Sequence, residues 1–378
     1  MKKHGYDKLE RFSEGLALVC RDGLWGYIDK NGGEVISCQF EKCMPFYNGM
    51  AQVAVNVGLW DEESKQIVKG RWGLIDKHGD YIIPPEFAMI SYCSEGRVVC
   101  QDQNGDWYYL GLDGKMLFQR TFEDARPFDT GVAIVCRSGK YGAIDRNGNT
   151  AIPFEFDWIN RLGGLNSDKM VGAKKYGKYG VIDREGNMII DFRYDEVTCS
   201  RTGLIEVSFK GRSRYSYKYG VINAAGETIL PCVYDEVTCM DNAIGINIGK
   251  RIGTKYFHSG KWGWTDLKGN VIVEPQYANT TGMFFSDGLA AVEKRNKTGF
   301  ADESGDIVIP FRYEYSCGFE GGMALARYKG RYGFIDKSGG FVIPPVYDSL
   351  EIFQEDYAVA EQDGESFYID RTGKRALF

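Results

Sequence analysis

Ten times in 378 residues, a run of the form aromatic-Gly-x-Ile-Asp, or a degraded copy of it, is followed by a glycine seven residues after its start. The clear copies begin at Trp25, Trp72, Tyr141, Tyr179, Tyr219, Trp262 and Tyr332, and weaker ones begin at Trp107, Thr298 and Ser366. The trailing glycines are Gly32, Gly79, Gly114, Gly148, Gly186, Gly226, Gly269, Gly305, Gly339 and Gly373, and the starts lie 34 to 47 residues apart. A period of this length predicts a tandem array of small supersecondary units, each of which buries its apolar faces only against its neighbours.

One unit can be read residue by residue. It opens on an aromatic followed by an acid, as in Tyr194-Asp195 and Tyr347-Asp348, and a turn leads into a strand of small apolar residues such as Gly131-Val132-Ala133-Ile134-Val135. A polar loop separates this strand from the aromatic-Gly strand. The Asp that ends the second strand is expected to bond backbone N–H groups of its own turn, and the trailing glycine to supply a positive φ. A third strand such as Tyr81-Ile82-Ile83 is expected to be closed by proline, as at Pro84, Pro153, Pro231, Pro310 and Pro344. The first two strands are apolar without alternation, so both faces are expected to be covered. The 48 glycines and the 14% of aromatic residues fit many short strands and tight turns.

The predicted fold is therefore all-β: about ten stacked antiparallel meanders of three or four strands, in one array over residues 1–378. Units start near residues 6, 40, 87, 122, 156, 194, 234, 277, 313 and 347. An open curved or superhelical array is expected over a closed β-propeller. The chain starts on a unit's opening pair, Tyr6-Asp7, and stops after a third strand, which leaves no split blade to fasten a closure. Ten blades also exceed the usual four to eight.

The pattern Trp-Gly-x-Ile-Asp-x-x-Gly followed by Ile-Ile-Pro-Pro, as in Trp72 to Pro85 and in the Tyr version Tyr332 to Pro345, resembles the WG (or KWG) repeat of bacterial proteins. The likeness extends from about Tyr6 to Phe378. It implies a bacterial β-rich repeat protein. The family carries no generic activity and no catalytic residue set, so the resemblance bears on the fold and leaves the function to the residues.

Those residues assemble no recognisable catalytic group. His4, His78 and His258 are far apart in sequence and in repeat index, so neither a metal site nor a Ser/His/Asp triad is expected. No Cys-x-x-Cys occurs, and the cysteines track the repeat: Cys199 and Cys239 end two copies of Tyr-Asp-Glu-Val-Thr-Cys, as packing residues would. The carboxylate pairs Asp195-Glu196 and Asp235-Glu236 project to opposite faces of a strand, a poor geometry for glycoside hydrolysis. No phosphate-binding glycine motif is present. Neither an apolar leader nor a membrane-length apolar run occurs, and the net charge is −6. The expectation is a cytoplasmic protein without membrane attachment, cofactor, metal or enzymatic activity.

Charge placement is more informative. The loop between the first two strands is basic, most of all in units five to seven: Lys174, Lys175 and Lys178; Lys210, Arg212, Arg214 and Lys218; Lys250, Arg251, Lys255 and Lys261. Stacked units would lay these loops side by side as a basic stripe interleaved with Tyr215, Tyr217, Tyr256 and Phe257. The stripe fits a solvated edge that resists strand addition, a surface for a protein partner, or a site for single-stranded nucleic acid or another polyanion. An insert from about Val57 to Gly70 carries Trp60 beside Asp61, Glu62 and Glu63, either as an interaction anchor or folded over its own hairpin. A non-catalytic scaffold for protein–protein interaction is the expected function, with polyanion binding and carbohydrate binding through exposed aromatics as alternatives.

Overall fold

The computed structural model describes residues 5–57, 60–61, 66–67, 70–160, 170–211, 216–251, 258–278 and 285–376. These form ten antiparallel blades. Five of them show all four strands in a simple meander. Blade 1 runs Lys8–Ser13, Leu16–Arg21, Leu24–Asp29 and Glu34–Phe40, and blade 4 runs Asp124–Ala125, Val132–Arg137, Lys140–Asp145 and Thr150–Phe156. Blade 5 runs Trp158–Ile159, Val171–Lys175, Lys178–Ile182 and Met188–Tyr194; blade 6 runs Glu196–Cys199, Ile205–Lys210, Tyr217–Ile222 and Thr228–Tyr234. Blade 7 runs Glu236–Cys239, Ile244–Arg251, His258–Thr265 and Val271–Tyr277. We call the strands a to d in this order.

Blade 2 has the same four strands around the insert, and blade 9 has them as well, whereas blades 3 and 8 show three. The chain divides into two compact units, residues 1–155 with 351–378 (blades 1–4 and 10) and residues 156–350 (blades 5–9). In each, strand b is buried along nearly its whole length, as its unbroken apolar sequence predicts. Layers such as Leu18, Tyr27, Phe46, Val53 and Ile75, or Phe300, Ile309, Phe319, Ala326 and Ile335, fill the space between successive blades.

The glycine after each motif aromatic is explained by strand d. Opposite it, strand d carries a bulge: Tyr179 pairs with Tyr194 and Val181 with Ile190, so three residues lie on strand d between partners two apart on strand c. The bulge pushes a carbonyl onto the glycine. A Cβ there would meet the oxygen of Ile83 at 2.6 Å from Gly73, Ile152 at 2.7 Å from Gly142, Leu230 at 2.5 Å from Gly220 and Ile309 at 2.6 Å from Gly299. In blade 3 Tyr108 replaces this glycine, and strand d is reduced to isolated bridges, Leu110 to Met116 and Trp107 to Phe122.

The motif Asp performs the expected task. Asp145 Oδ1 accepts from the N–H groups of Asn147 and Asn149, both at 2.8 Å, and Gly148 takes a φ of 81°. Its equivalents in the other blades do likewise, for example Asp29, Asp183 and Asp336.

Three expectations need correction. The prolines do not close the third strand: Pro84, Pro153, Pro231, Pro310 and Pro344 lie inside strand d. They occupy its bulge, on an edge strand where no ladder N–H is needed. The aromatic read as a unit's opening residue ends strand d of the preceding blade, as Tyr194 and Tyr347 do.

The third correction concerns closure. The open array favoured over a propeller is overturned, because blade 10 (Tyr357–Gln362 and Glu365–Asp370) is seated on blade 1. The Phe12 ring lies 5.5 Å from Tyr357 and 5.1 Å from Tyr368, whose hydroxyl donates to the Glu10 carbonyl. Arg11 pairs with Glu351 at 2.6 Å, and Lys30 pairs with Glu355 at 3.0 Å and Asp356 at 2.8 Å. The first and last blades join as successive propeller blades do, in a ten-bladed arrangement. A split blade is unnecessary because side chains make the seam.

Candidate functional site

The acid that follows each opening aromatic fixes the hairpin between strands b and c. Asp157 accepts from the N–H of Gly177 at 3.1 Å, Asp195 from that of Lys210 at 2.9 Å and Asp235 from that of Gly249 at 2.7 Å. Glu123 and Glu314 cap the hairpins of blades 4 and 9 in the same way. In blades 5–7 two of these acids also reach the preceding hairpin. Lys178 donates to Asp195 at 2.7 Å, and Lys218 donates to Asp235 at 2.7 Å. Blade 5 is thus joined to blade 6, and blade 6 to blade 7, at their hairpin ends, which lie side by side.

Burial opposes the charge on Asp195, but the Lys178 ammonium and the Lys210 N–H outweigh it and hold the carboxyl below its ordinary value. Lys178 and Lys218 therefore serve the hairpin frame rather than an open stripe. Lys174 lies over the Tyr179 ring at 5.3 Å, and Lys175 lies 5.6 Å from the Phe156 ring and 5.5 Å from that of Tyr176. Lys210 and Lys261 are exposed. Arg212, Arg214 and Lys255 fall outside the described residues. Lys250 and Arg251 are described as backbone only, paired with Ser259 and His258.

Apolar side chains surface among these lysines. Tyr176 is 87% exposed, Ile248 53%, Phe209 42% and Trp158 37%. Phe209 rests against Tyr194 with the ring centroids 5.1 Å apart. Phe209 and Ile248 occupy the same position of strand b in blades 6 and 7, where blades 1 and 4 have Arg21 and Arg137. Trp60 stands in a two-residue strand, Trp60–Asp61, paired with Gln66–Ile67. The insert is thus a separate small hairpin, away from blades 5–7 in sequence.

Sequence reasoning missed a second set of polar contacts, at the turns between strands a and b. Glu14 accepts from the Gly49 N–H of the next blade and pairs with Lys77. Glu95 does the same with Gly131 and Arg146, and Glu355 with Gly15 and Lys30. Asp287 accepts from Gly322, and Lys337 donates to its carbonyl. All four acids hold a φ of 53–54°, a left-handed conformation that an acid adopts only where something compensates. The available signal was the acid-Gly dipeptide before strand b, at Glu14-Gly15, Glu95-Gly96 and Asp287-Gly288. Blades 5–7 show no such latch among their described residues.

All ten cysteines are unpaired thiols, and Cys20, Cys93, Cys100 and Cys136 are buried. No group of three metal-ligating side chains occurs among the described residues. Glu206 stands where blades 1, 4, 8, 9 and 10 carry alanine and accepts from the Cys239 N–H at 2.6 Å; burial pushes its carboxyl up.

A family model described as "WG containing repeat" matches ten segments: residues 3–25, 25–60, 72–107, 109–141, 141–179, 179–212, 219–244, 262–297, 299–332 and 332–365. The chain belongs to the WG-repeat family. No curated protein matches it. Among solved structures, it is similar to BamB from Moraxella catarrhalis at 14% identity and a TM-score of 0.32, covering 66% of this chain and 80% of that one. It is also similar to apo AztD from Citrobacter koseri, at 10% identity and a TM-score of 0.33, covering 75% and 91%. At these scores the likenesses carry no functional argument.

Proposed function

We propose that this WG-repeat chain is a non-catalytic scaffold that binds a protein partner through the hairpin ends of blades 5–7. One observation carries the reading: hairpins fixed side by side by Asp195 and Asp235 present Tyr176, Phe209 and Ile248 to solvent among Lys175, Lys210 and Lys261. Exposed large apolar groups ringed by charge are the usual makings of a protein-binding surface. The frame that holds them is rigid and repeated, which suits presentation better than turnover.

The test is a pull-down from nuclease-treated lysate of the source organism with the wild-type chain and a Lys175→Glu, Lys210→Glu, Lys261→Glu variant, read by mass spectrometry. A specific protein retained by the wild type and lost by the variant supports the proposal. Recovery of nucleic acid alone from untreated lysate would overturn it in favour of a polyanion binder. Turnover of a small substrate by the purified chain would contradict the non-catalytic part.

A further inference from the structure

We infer that the hairpin face of blades 5–7 takes an acidic segment of a partner protein, one in which carboxylates alternate with large apolar side chains. The inference rests on the scaffold reading above and adds the chemistry of the partner. It follows from the way the charges on this face are already used.

The carboxylates of the face have partners of their own. Asp157 caps the blade 5 hairpin, Asp195 and Asp235 each hold a backbone N–H and a lysine, and Glu196 accepts from the Tyr219 hydroxyl at 2.6 Å. Lys175, Lys210 and Lys261 present the remaining charge to solvent, and a complementary segment must bring acids. Beside them, Tyr176, Phe209 and Ile248 offer apolar area in three successive blades, so acids alone would leave that area uncovered. A partner that satisfies both places carboxylates on the lysines and apolar side chains between them.

The same arrangement argues against a nucleic-acid strand. A phosphate backbone is continuously anionic, and here it would meet Asp157, Asp195 and Asp235 once per blade. Ile248 has no π-face on which a base could stack, and the chain's net charge of −6 disfavours a polyanion at long range. Discrete acids on a peptide can avoid the carboxylate row; a polyphosphate cannot.

Selection of random dodecapeptides displayed on phage against the full chain tests the inference. The enriched pool is expected to be rich in Asp and Glu alternating with Phe, Leu or Ile. A synthetic member of it, followed by fluorescence anisotropy, should lose about tenfold or more in affinity to the Lys175→Glu, Lys210→Glu, Lys261→Glu variant. The loss should be similar for Phe209→Ala with Ile248→Ala, with unchanged circular dichroism and melting temperature. Replacing the lysines by alanine instead of glutamate should give a smaller loss of the same sign.

A pool that is neutral or basic, or whose binding ignores both variants, overturns the inference while leaving a scaffold that uses another face. If no peptide is enriched and oligo-dT or anionic vesicles bind in a way the charge reversal abolishes, the inference and the scaffold reading fall together.

Discussion

Blades 4 and 6 are built on one frame and use their charges differently. Both run four strands in the same order, both place a glycine under the bulge of strand d (Gly142 and Gly220), and both cap the b–c hairpin with the opening acid (Glu123 and Asp195). In blade 4, Arg146 follows the motif Asp and reaches Glu95 of blade 3 at 2.7 Å, so its charge joins two blades. In blade 6 the equivalent residue is Ala224, and the a–b turn carries Thr202 and Gly203 in place of a latching acid. Its charges sit at the hairpin instead, with Lys210 and Lys218 beside an exposed Phe209. Residues common to every blade build the frame, and residues confined to a few blades are where function should be sought.

The comparison predicts its largest effect where the two blades agree. Gly142→Leu and Gly220→Leu should each cost about 3 kcal/mol, because the added side chain meets the strand d carbonyl and neither strand can withdraw freely. Chemical denaturation checks this, and a large loss in only one blade would break the claim of a shared frame. Next comes the latch. Glu95→Ala should cost about 2 kcal/mol by removing a charged acceptor from Gly131 and Arg146, whereas Thr202→Ala in blade 6 should change stability little.

The latch also gives a pH dependence. Burial opposes ionisation of Glu95, but the Arg146 guanidinium and the Gly131 N–H hold its carboxyl below the ordinary value, as Lys77 and Gly49 do for Glu14. Stability from a depressed carboxyl is fully present above its unfolded value, about 4.3, and is lost as pH falls through the folded one. Unfolding free energy should therefore drop on acidification, and less steeply in Glu95→Gln, as denaturant titrations at several pH values would reveal. Glu206 runs the other way. Its carboxyl is raised by burial, so Glu206→Gln should stabilise the chain at neutral pH and change little at acid pH.

Smaller effects follow where a blade departs from the frame. Tyr108→Gly in blade 3 restores the motif glycine without restoring strand d, and should cost no more than about 1 kcal/mol, from added chain entropy. Smallest of all, Lys210→Glu should shift stability by under about 0.5 kcal/mol while altering binding. Thermal melts of both variants suffice.

Much of the frame was legible because each recurring residue has a local job. Motif glycines, turn Asp residues and unbroken apolar strands announce themselves within eight residues of sequence. Non-local features were not legible. Pro84 read as a strand end because nothing nearby reveals that strand d is an edge with a bulge that tolerates proline inside it. The seam of Phe12 with Tyr357 and Tyr368 joins residues more than 340 positions apart, beyond any local signal. At the candidate site the sequence located the basic hairpins of blades 5–7, but not the division of labour among them. Lys178 and Lys218 proved to be frame residues because their acids lie at the start of the following blade, and the exposed Phe209 and Ile248 went unnoticed because strand b looks apolar throughout.

The most direct test sets two charge-matched triple reversals against each other: Lys175→Glu, Lys210→Glu and Lys261→Glu in blades 5–7, and Arg21→Glu, Lys140→Glu and Lys329→Glu in the hairpins of blades 1, 4 and 9. The affinity of each for the protein that the wild-type chain retains would be measured at one ionic strength. The account predicts that only the first variant loses the partner while both keep the wild-type melting temperature. Equal losses in both, or none in the first, would contradict a binding face on blades 5–7.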